Sequence, residues 1–336
     1  MSTKTSLQHR LMSLAQATEL IRAGRPCCMA ADEALLRRLP RGPWIGGTIP
    51  YFMAERGTTT RDALFVTELP IAGSGPRIMR YDRKSLERVC TDGPEHGFTL
   101  IVMPAFSSAH EAFAQEAPGY AEMYLRPLVG WVSGVHLDDL GRVKPLVFDG
   151  STGLALEDGA VAMHVPVPAD KMVHVDIVNP VSPETGPAIE FTQGGFSAGD
   201  CRIDGRSHNL HDWMVERGFN TQLPLVADYC GALVNVCIKK LDAQSRRVEF
   251  YAPVFPGTVY RPARPVGNYV SAFASALASH QIPGEQVFSC NCVLNYAYGG
   301  LEGKTVSVQG PATFGEIAYQ LLNQTLVYLS LVDEGQ

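Results

Sequence analysis

The sequence predicts an α+β protein of two halves, each a mixed, mostly antiparallel sheet packed with helices. Three observations predict this. Helix-capping signals recur between short apolar runs in the first third of the chain. From residue 128 to residue 192, β-rich runs split by Gly, Pro and Asp follow one another with too few residues between them for crossover helices, which implies antiparallel pairing. Residues 232–241 and 247–254 then read as a hairpin across Asp242-Ala243-Gln244-Ser245, followed by an alanine-rich helical pattern over 269–280.

Taken in order, Ser13-Leu-Ala-Gln16 has capping-box spacing, and Ala17, Leu20 and Ile21 then share a face that Gly24 and Pro26 close. Cys27 to Ala31 should be a strand. Asp32 should cap a helix carrying Leu35, Leu36 and Leu39, and Pro40 should end it. The segment 42–53, GPWIGGTIPYFM, is apolar yet rich in glycine and proline. It either brings backbone close to a ligand or forms a tight turn that buries Trp44 and Phe52. Residues 63–69 read as a strand, Asp82 as the cap of a helix through Leu86 and Val89, and 98–103 as a continuous apolar strand. Ser108-Ala-His-Glu111 repeats the capping-box spacing, and Asn209 or Asp212 should start a brief helix.

The densest local signals lie in residues 287–331. Val287 to Leu294 reads as a strand with Cys290 and Cys292 on one face, and Tyr298-Gly299-Gly300 breaks it. After Pro311, Thr313-Phe-Gly-Glu316 has capping-box spacing, which predicts a helix whose apolar residues are too widespread for a single stripe.

An F-x-C strand followed by a G-E-I turn, here Phe288, Cys290, Gly315, Glu316 and Ile317, resembles the C-terminal half of FIST domains, a bacterial sensory family. Upstream, LVGWVSGV, KPLVFDG, GAVAMHVPV and VHVDIVNPVSP resemble the glycine-punctuated strands of the family's N-terminal half. The resemblance covers most of residues 40–330 and implies an N-terminal helix in 1–27, an N-like half over 28–205 and a C-like half over 206–332. Many members carry a basic residue soon after the cysteine, where this chain has Asn291, Cys292 and Val293.

Composition bounds the function. The chain has 336 residues, 46% of them hydrophobic, and a mean hydropathy near zero, enough material for sizeable cores. Its net charge of −6 comes with scattered Lys and Arg, which argues against nucleic acid as a partner. No apolar leader segment and no run of eighteen apolar residues is present, so a cytoplasmic protein without a membrane contact is expected. Eight cysteines without an export signal are expected to be reduced thiols. Their adjacent and C-x-C spacings suit zinc poorly, and no metal site is expected.

Gly195-Phe-Ser197-Ala-Gly199 matches the nucleophile-elbow pattern, but no helical periodicity follows it, which favours a loop. Gly303-Lys304-Thr305 lacks the upstream glycine and downstream helix of a phosphate loop. His208 and His211 are spaced to share a metal if helical, with a solvated helix start as the alternative. His174 and Asp176 share a strand face. Cys290 and Cys292 are reactive only if a cation or helix terminus lowers a thiol pKa, and otherwise pack as small hydrophobes. Glu316 caps a helix, faces a polar ligand, or does both.

The expected function follows from the resemblance: a stand-alone sensory protein that binds a small molecule between its halves and signals through a separate protein. A differential affinity of about 1–3 kcal/mol would suffice for a population shift. The residues expected to meet the ligand are Trp44, Tyr51, Cys290, Asn291, Asn295, Tyr298 and Glu316. The cofactor is unknown; haem, associated with other members of the family, is allowed by nine histidines but not indicated. An enzyme using Cys290 or Ser197 on a small carbonyl substrate is the alternative, and a scaffold without a pocket is a third reading.

Overall fold

The computed structural model describes residues 7–229, 232–280, 283–305 and 307–334. The class is α+β, weighted towards strands: 42% strand against 17% helix. Within the described residues the strands assort into four six-stranded sheets and one three-stranded sheet.

The first sheet grows from local signals. Ser13 and Gln16 form the reciprocal capping box and start the helix Leu14–Arg22, which buries Ala17 and Ile21. Asp32 accepts from the Ala34 N–H at 3.1 Å and starts the four-residue helix Glu33–Leu36. That helix carries the chain from Cys27–Ala31 to Trp44–Thr48, which pair in parallel. Both strands are buried along their whole length, which is why they read as continuous apolar runs rather than alternating ones.

A second sheet supplies the frame of the site. Gly97–Pro104 is buried throughout and runs antiparallel to Ala160–Pro166 on one side. On its other side it runs parallel to Leu128–Ser133. This parallel pair reaches outside 128–192, where Val147–Asp149 and Leu154–Leu156 pair antiparallel as expected, and the helix Ser108–Glu116 within the crossover makes it feasible. The cap of that helix is Ser107, one residue before the expected position, because its hydroxyl accepts from the His110 N–H at 3.1 Å. Asp82 accepts from the N–H groups of Lys84 and Ser85, but only the single 3-10 turn Leu86–Arg88 follows, and its cap position is Ser85.

The C-terminal segment is corrected most. Among the described residues no helix follows Thr313; the chain forms Gly310–Thr313, Glu316–Ala318, Gln320–Leu322 and Leu326–Asp333, all strands. Leu326–Asp333 is central in its sheet, between Lys171–Val178 and Glu285–Cys292. Glu316–Ala318 pairs with Leu128–Ser133. Distant partners therefore satisfy backbone groups that a helix would satisfy internally. The expected strand 287–294 ends at Cys292, and Val293–Tyr298 is a short helix instead.

Gly195–Ala198 is a strand rather than a loop, paired with Arg247–Val254, which in turn pairs with Ile238–Asp242. The hairpin across 242–247 forms with a shorter first strand, Ile238–Asp242, because Ala232–Val236 pairs with Leu225–Tyr229 instead, and the helix Tyr269–Ser279 forms as the sequence predicts. Asn209 caps the helix Leu210–Glu216. The expected division at residue 205 is crossed by pairing of Tyr51–Met53 with Gly310–Thr313 and of Lys171–Val178 with Leu326–Asp333. One of the apolar clusters joins Phe52, Phe65 and Trp131 to Phe288 and Leu329, while another gathers residues between Ile189 and Tyr260.

Candidate functional site

Beyond the carboxyl ends of the parallel strands Gly97–Pro104 and Leu128–Ser133 lies a cleft of about 750 Å³. In open sheets this is where ligands gather, because strand ends and the loops after them converge there without closing. Ala105, Phe106, His110 and Glu111 come from the first strand's end and the following helix, and Leu137, Leu140 and Gly141 from the loop after the second. The opposite wall is the three-stranded sheet, through Phe196, Ser197, Lys239, Glu249, Phe250 and Tyr251. Val293, Leu294 and Phe314 complete it.

The lining is aromatic with few charges. The Phe106 and Phe314 rings meet edge to face at 6.4 Å, and His110 lies 6.2 Å from the Phe196 ring. Lys239 sits 5.7 Å above the Phe106 ring and 3.4 Å from the Glu249 carboxylate. Phe106 is 52% exposed and adopts a φ of 64°, a left-handed conformation that is strained for a bulky side chain. Its backbone N–H donates to His110 Nδ1 at 3.3 Å. Burial lowers the His110 pKa to about 4, so the ring is neutral at physiological pH.

None of Trp44, Tyr51, Cys290, Asn291, Asn295, Tyr298 and Glu316 lines this cleft. Trp44 is core, its indole N–H donating to the Pro40 carbonyl at 2.8 Å. Tyr51 stands behind the wall. Its hydroxyl accepts from the Leu137 N–H at 2.9 Å, and its ring stacks on His136, so it holds the loop that presents Leu137 and Leu140. Asn291 and Asn295 are buried and bonded to each other at 2.8 Å, and Asn295 donates to the Thr325 carbonyl at 3.1 Å. They anchor the short helix whose first residues, Val293 and Leu294, reach the cleft. Tyr298, at the far end of that helix, is 38% exposed.

Glu316 neither caps a helix nor meets solvent. One carboxyl oxygen accepts from the N–H and hydroxyl of Thr325, while the other has no partner. Burial raises its pKa to about 8. Thr313 instead donates to backbone carbonyls of Asn291 or Gly315. Cys290 is buried and donates to the Gly130 carbonyl at 3.4 Å, and burial pushes its thiol well above the ordinary range, with Cys292 and Cys237 likewise. These are conditions for inert packing. The seven described cysteines are free thiols, and Cys230 lies outside the described residues.

Ser197 does line the cleft, but its hydroxyl accepts from Arg247 Nε and Nη2 at 3.1 and 2.9 Å, and no helix leaves the turn. Arginine cannot serve as a general base, so the nucleophile elbow is not assembled. His208 lies on the strand Arg206–Asn209, and His211 in the next helix faces Asp212 at 3.0 Å. No group of three ligating side chains is gathered among the described residues. Haem does not fit the cleft's donors. His110 accepts at Nδ1, which leaves Nε2 protonated and without a lone pair for iron, and burial raises the Tyr251 pKa and keeps the phenol protonated.

Phe106, His110, Phe196, Lys239 and Phe314 escape sequence reasoning because more than two hundred residues separate the first from the last. One available signal was the end of an apolar strand running into a helix cap at 104–108, the place where a carboxyl-end site forms.

The fold and cleft define a strand-rich α+β protein with an aromatic, partly open pocket at parallel strand ends. The chain belongs to DUF6976, a family of unknown function whose profile matches residues 12–332. No curated protein matches it. No helix among the described residues is long and apolar enough to cross a membrane.

Proposed function

We propose that this chain is a binding protein for a small, largely apolar molecule and that it signals through a separate protein partner. The observation that supports binding is the cleft of about 750 Å³, in the size range of small-molecule sites, with aromatic walls and a few convergent polar groups. The sensory role rests on the sequence resemblance to FIST domains. Occupancy would draw together a wall built from residues 105–141 and one built from 196–251, and so change the surface that a partner reads. Native mass spectrometry on protein purified without added ligand tests the reading. A copurified mass that leaves on denaturation, and whose affinity falls at least tenfold in Phe196→Ala, is expected. A ligand that binds both proteins equally would place it elsewhere and remove the cleft from the proposal.

A further inference from the structure

We infer that the cleft selects neutral molecules with an aromatic or apolar body and a carbonyl oxygen, and that the Nε2–H of His110 is the donor that seats that oxygen. This rests on the reading of the cleft as a binding site. The Phe106 N–H donates to Nδ1 at 3.3 Å, so the neutral imidazole carries its proton on Nε2. That nitrogen has no hydrogen-bond partner and is closed to solvent, so an oxygen entering the cleft reaches it as the flanking Phe196 side chain turns aside. A buried donor left unpaired costs about 1–3 kcal/mol, and an oxygen seated against it recovers that cost. Burial, which lowers the ring's pKa to about 4, keeps it neutral, so it offers a hydrogen bond without a charge.

The surroundings narrow the class. Phe196 flanks the imidazole and Phe106 meets Phe314, which suits a flat apolar body. Lys239 is matched by Glu249, and Glu111 adds a further carboxylate. Arg247, behind Ser197, directs its donors at that residue's oxygens. A carboxylate ligand therefore meets no unmatched cation among the lining residues, whereas a neutral carbonyl needs none. Molecules without an acceptor would leave Nε2 unpaired, and a site built around a hydrogen bond discriminates against such analogues.

The probes are 6-propionyl-2-(dimethylamino)naphthalene, its 6-propyl counterpart without the carbonyl, and the 6-carboxylate, titrated by fluorescence or by competition. The full-length protein should bind the ketone about tenfold more tightly than the propyl compound and more tightly than the acid. His110→Phe should bind the ketone and the propyl compound equally. Ring ¹⁵N spectra of histidine-labelled wild-type protein give a second readout that does not depend on the variant folding: the Nε2–H signal should shift with the ketone and not with the propyl compound. If no probe binds the wild-type protein, the cleft reading itself falls. If ketone and propyl compound bind alike and the Nε2–H signal is unmoved, the role of His110 is overturned while the cleft stands. Tighter binding of the acid than of the ketone would overturn the neutral class.

Discussion

Thr325 gives both of its donors to one oxygen of Glu316, the backbone N–H at 3.2 Å and the hydroxyl at 2.8 Å, and leaves the other carboxyl oxygen unpartnered in the core. Burial is the larger effect, and it raises the carboxyl from an ordinary 4.5 to about 8. The folded chain keeps this proton where the unfolded chain loses it. Its contribution to stability is full below pH 4.5 and is lost as pH rises towards 8, by on the order of 4 kcal/mol. Glu316→Gln cannot ionise and lacks that decline. Denaturant unfolding of both proteins at pH 5, 6.5 and 8 should show the wild type losing stability relative to the variant at each step; a constant difference would mean that Glu316 titrates normally.

Ser13 and Gln16 satisfy each other's backbone donors at the start of the first helix. Ser13→Ala removes one of these bonds and should cost about 1 kcal/mol, read from the urea midpoint. An unchanged midpoint would show that the helix is held by Ala17 and Ile21 alone.

A methyl group at Gly130 would overlap the carbonyl of Ile101 on the neighbouring parallel strand, whereas one at Gly119 would meet nothing within 4 Å. Gly130→Ala should abolish soluble folded protein or cost several kcal/mol, and Gly119→Ala should stay within about 0.5 kcal/mol of wild type. Equal stability of the two variants would contradict the register of the strands Gly97–Pro104 and Leu128–Ser133.

Cys290 and Cys292 are each about 1% exposed, and burial raises both thiols. Iodoacetamide at neutral pH should leave both unmodified in the native protein and label both after unfolding, as read by peptide mass mapping. Native labelling of Cys290 at the rate of a free thiol would revive the enzyme reading.

Phe106 holds a left-handed backbone with an aromatic side chain at the cleft. Phe106→Gly relieves the backbone strain but makes the unfolded chain more flexible, so stability should change by no more than about 1 kcal/mol. Affinity for the naphthyl ketone should nevertheless fall about tenfold, since an aromatic wall is lost. Unchanged affinity would exclude Phe106 from the contact.

Two of the three capping-box spacings show where sequence suffices and where it fails. Ser13-x-x-Gln16 precedes an amphipathic run near the surface, so the bonds that decide its structure lie within four residues of one another, and spacing alone predicts it. Thr313-x-x-Glu316 has the same spacing but lies where both faces are buried. There the partners are Trp131 in the adjacent strand and Thr325 beyond the hairpin, so tertiary pairing overrides the local signal. The strands at 27–31, 64–68 and 97–104, the helix at 269–279 and the hairpin across 242–247 were legible for the first reason.

By itself, then, the sequence determined the α+β class, the strands at 27–31, 64–68 and 97–104, the first helix and its cap, and the weakness of the serine and phosphate-loop motifs, because periodicity and capping are short-range. Tertiary structure alone decided that Cys290, Asn291, Asn295 and Glu316 stand behind the cleft rather than in it. It also brought Phe106, His110, Phe196, Lys239 and Phe314 to one place. The cause is strand pairing between distant segments: which side chains face a common space depends on register and crossover, and these are set by partners far away in the chain.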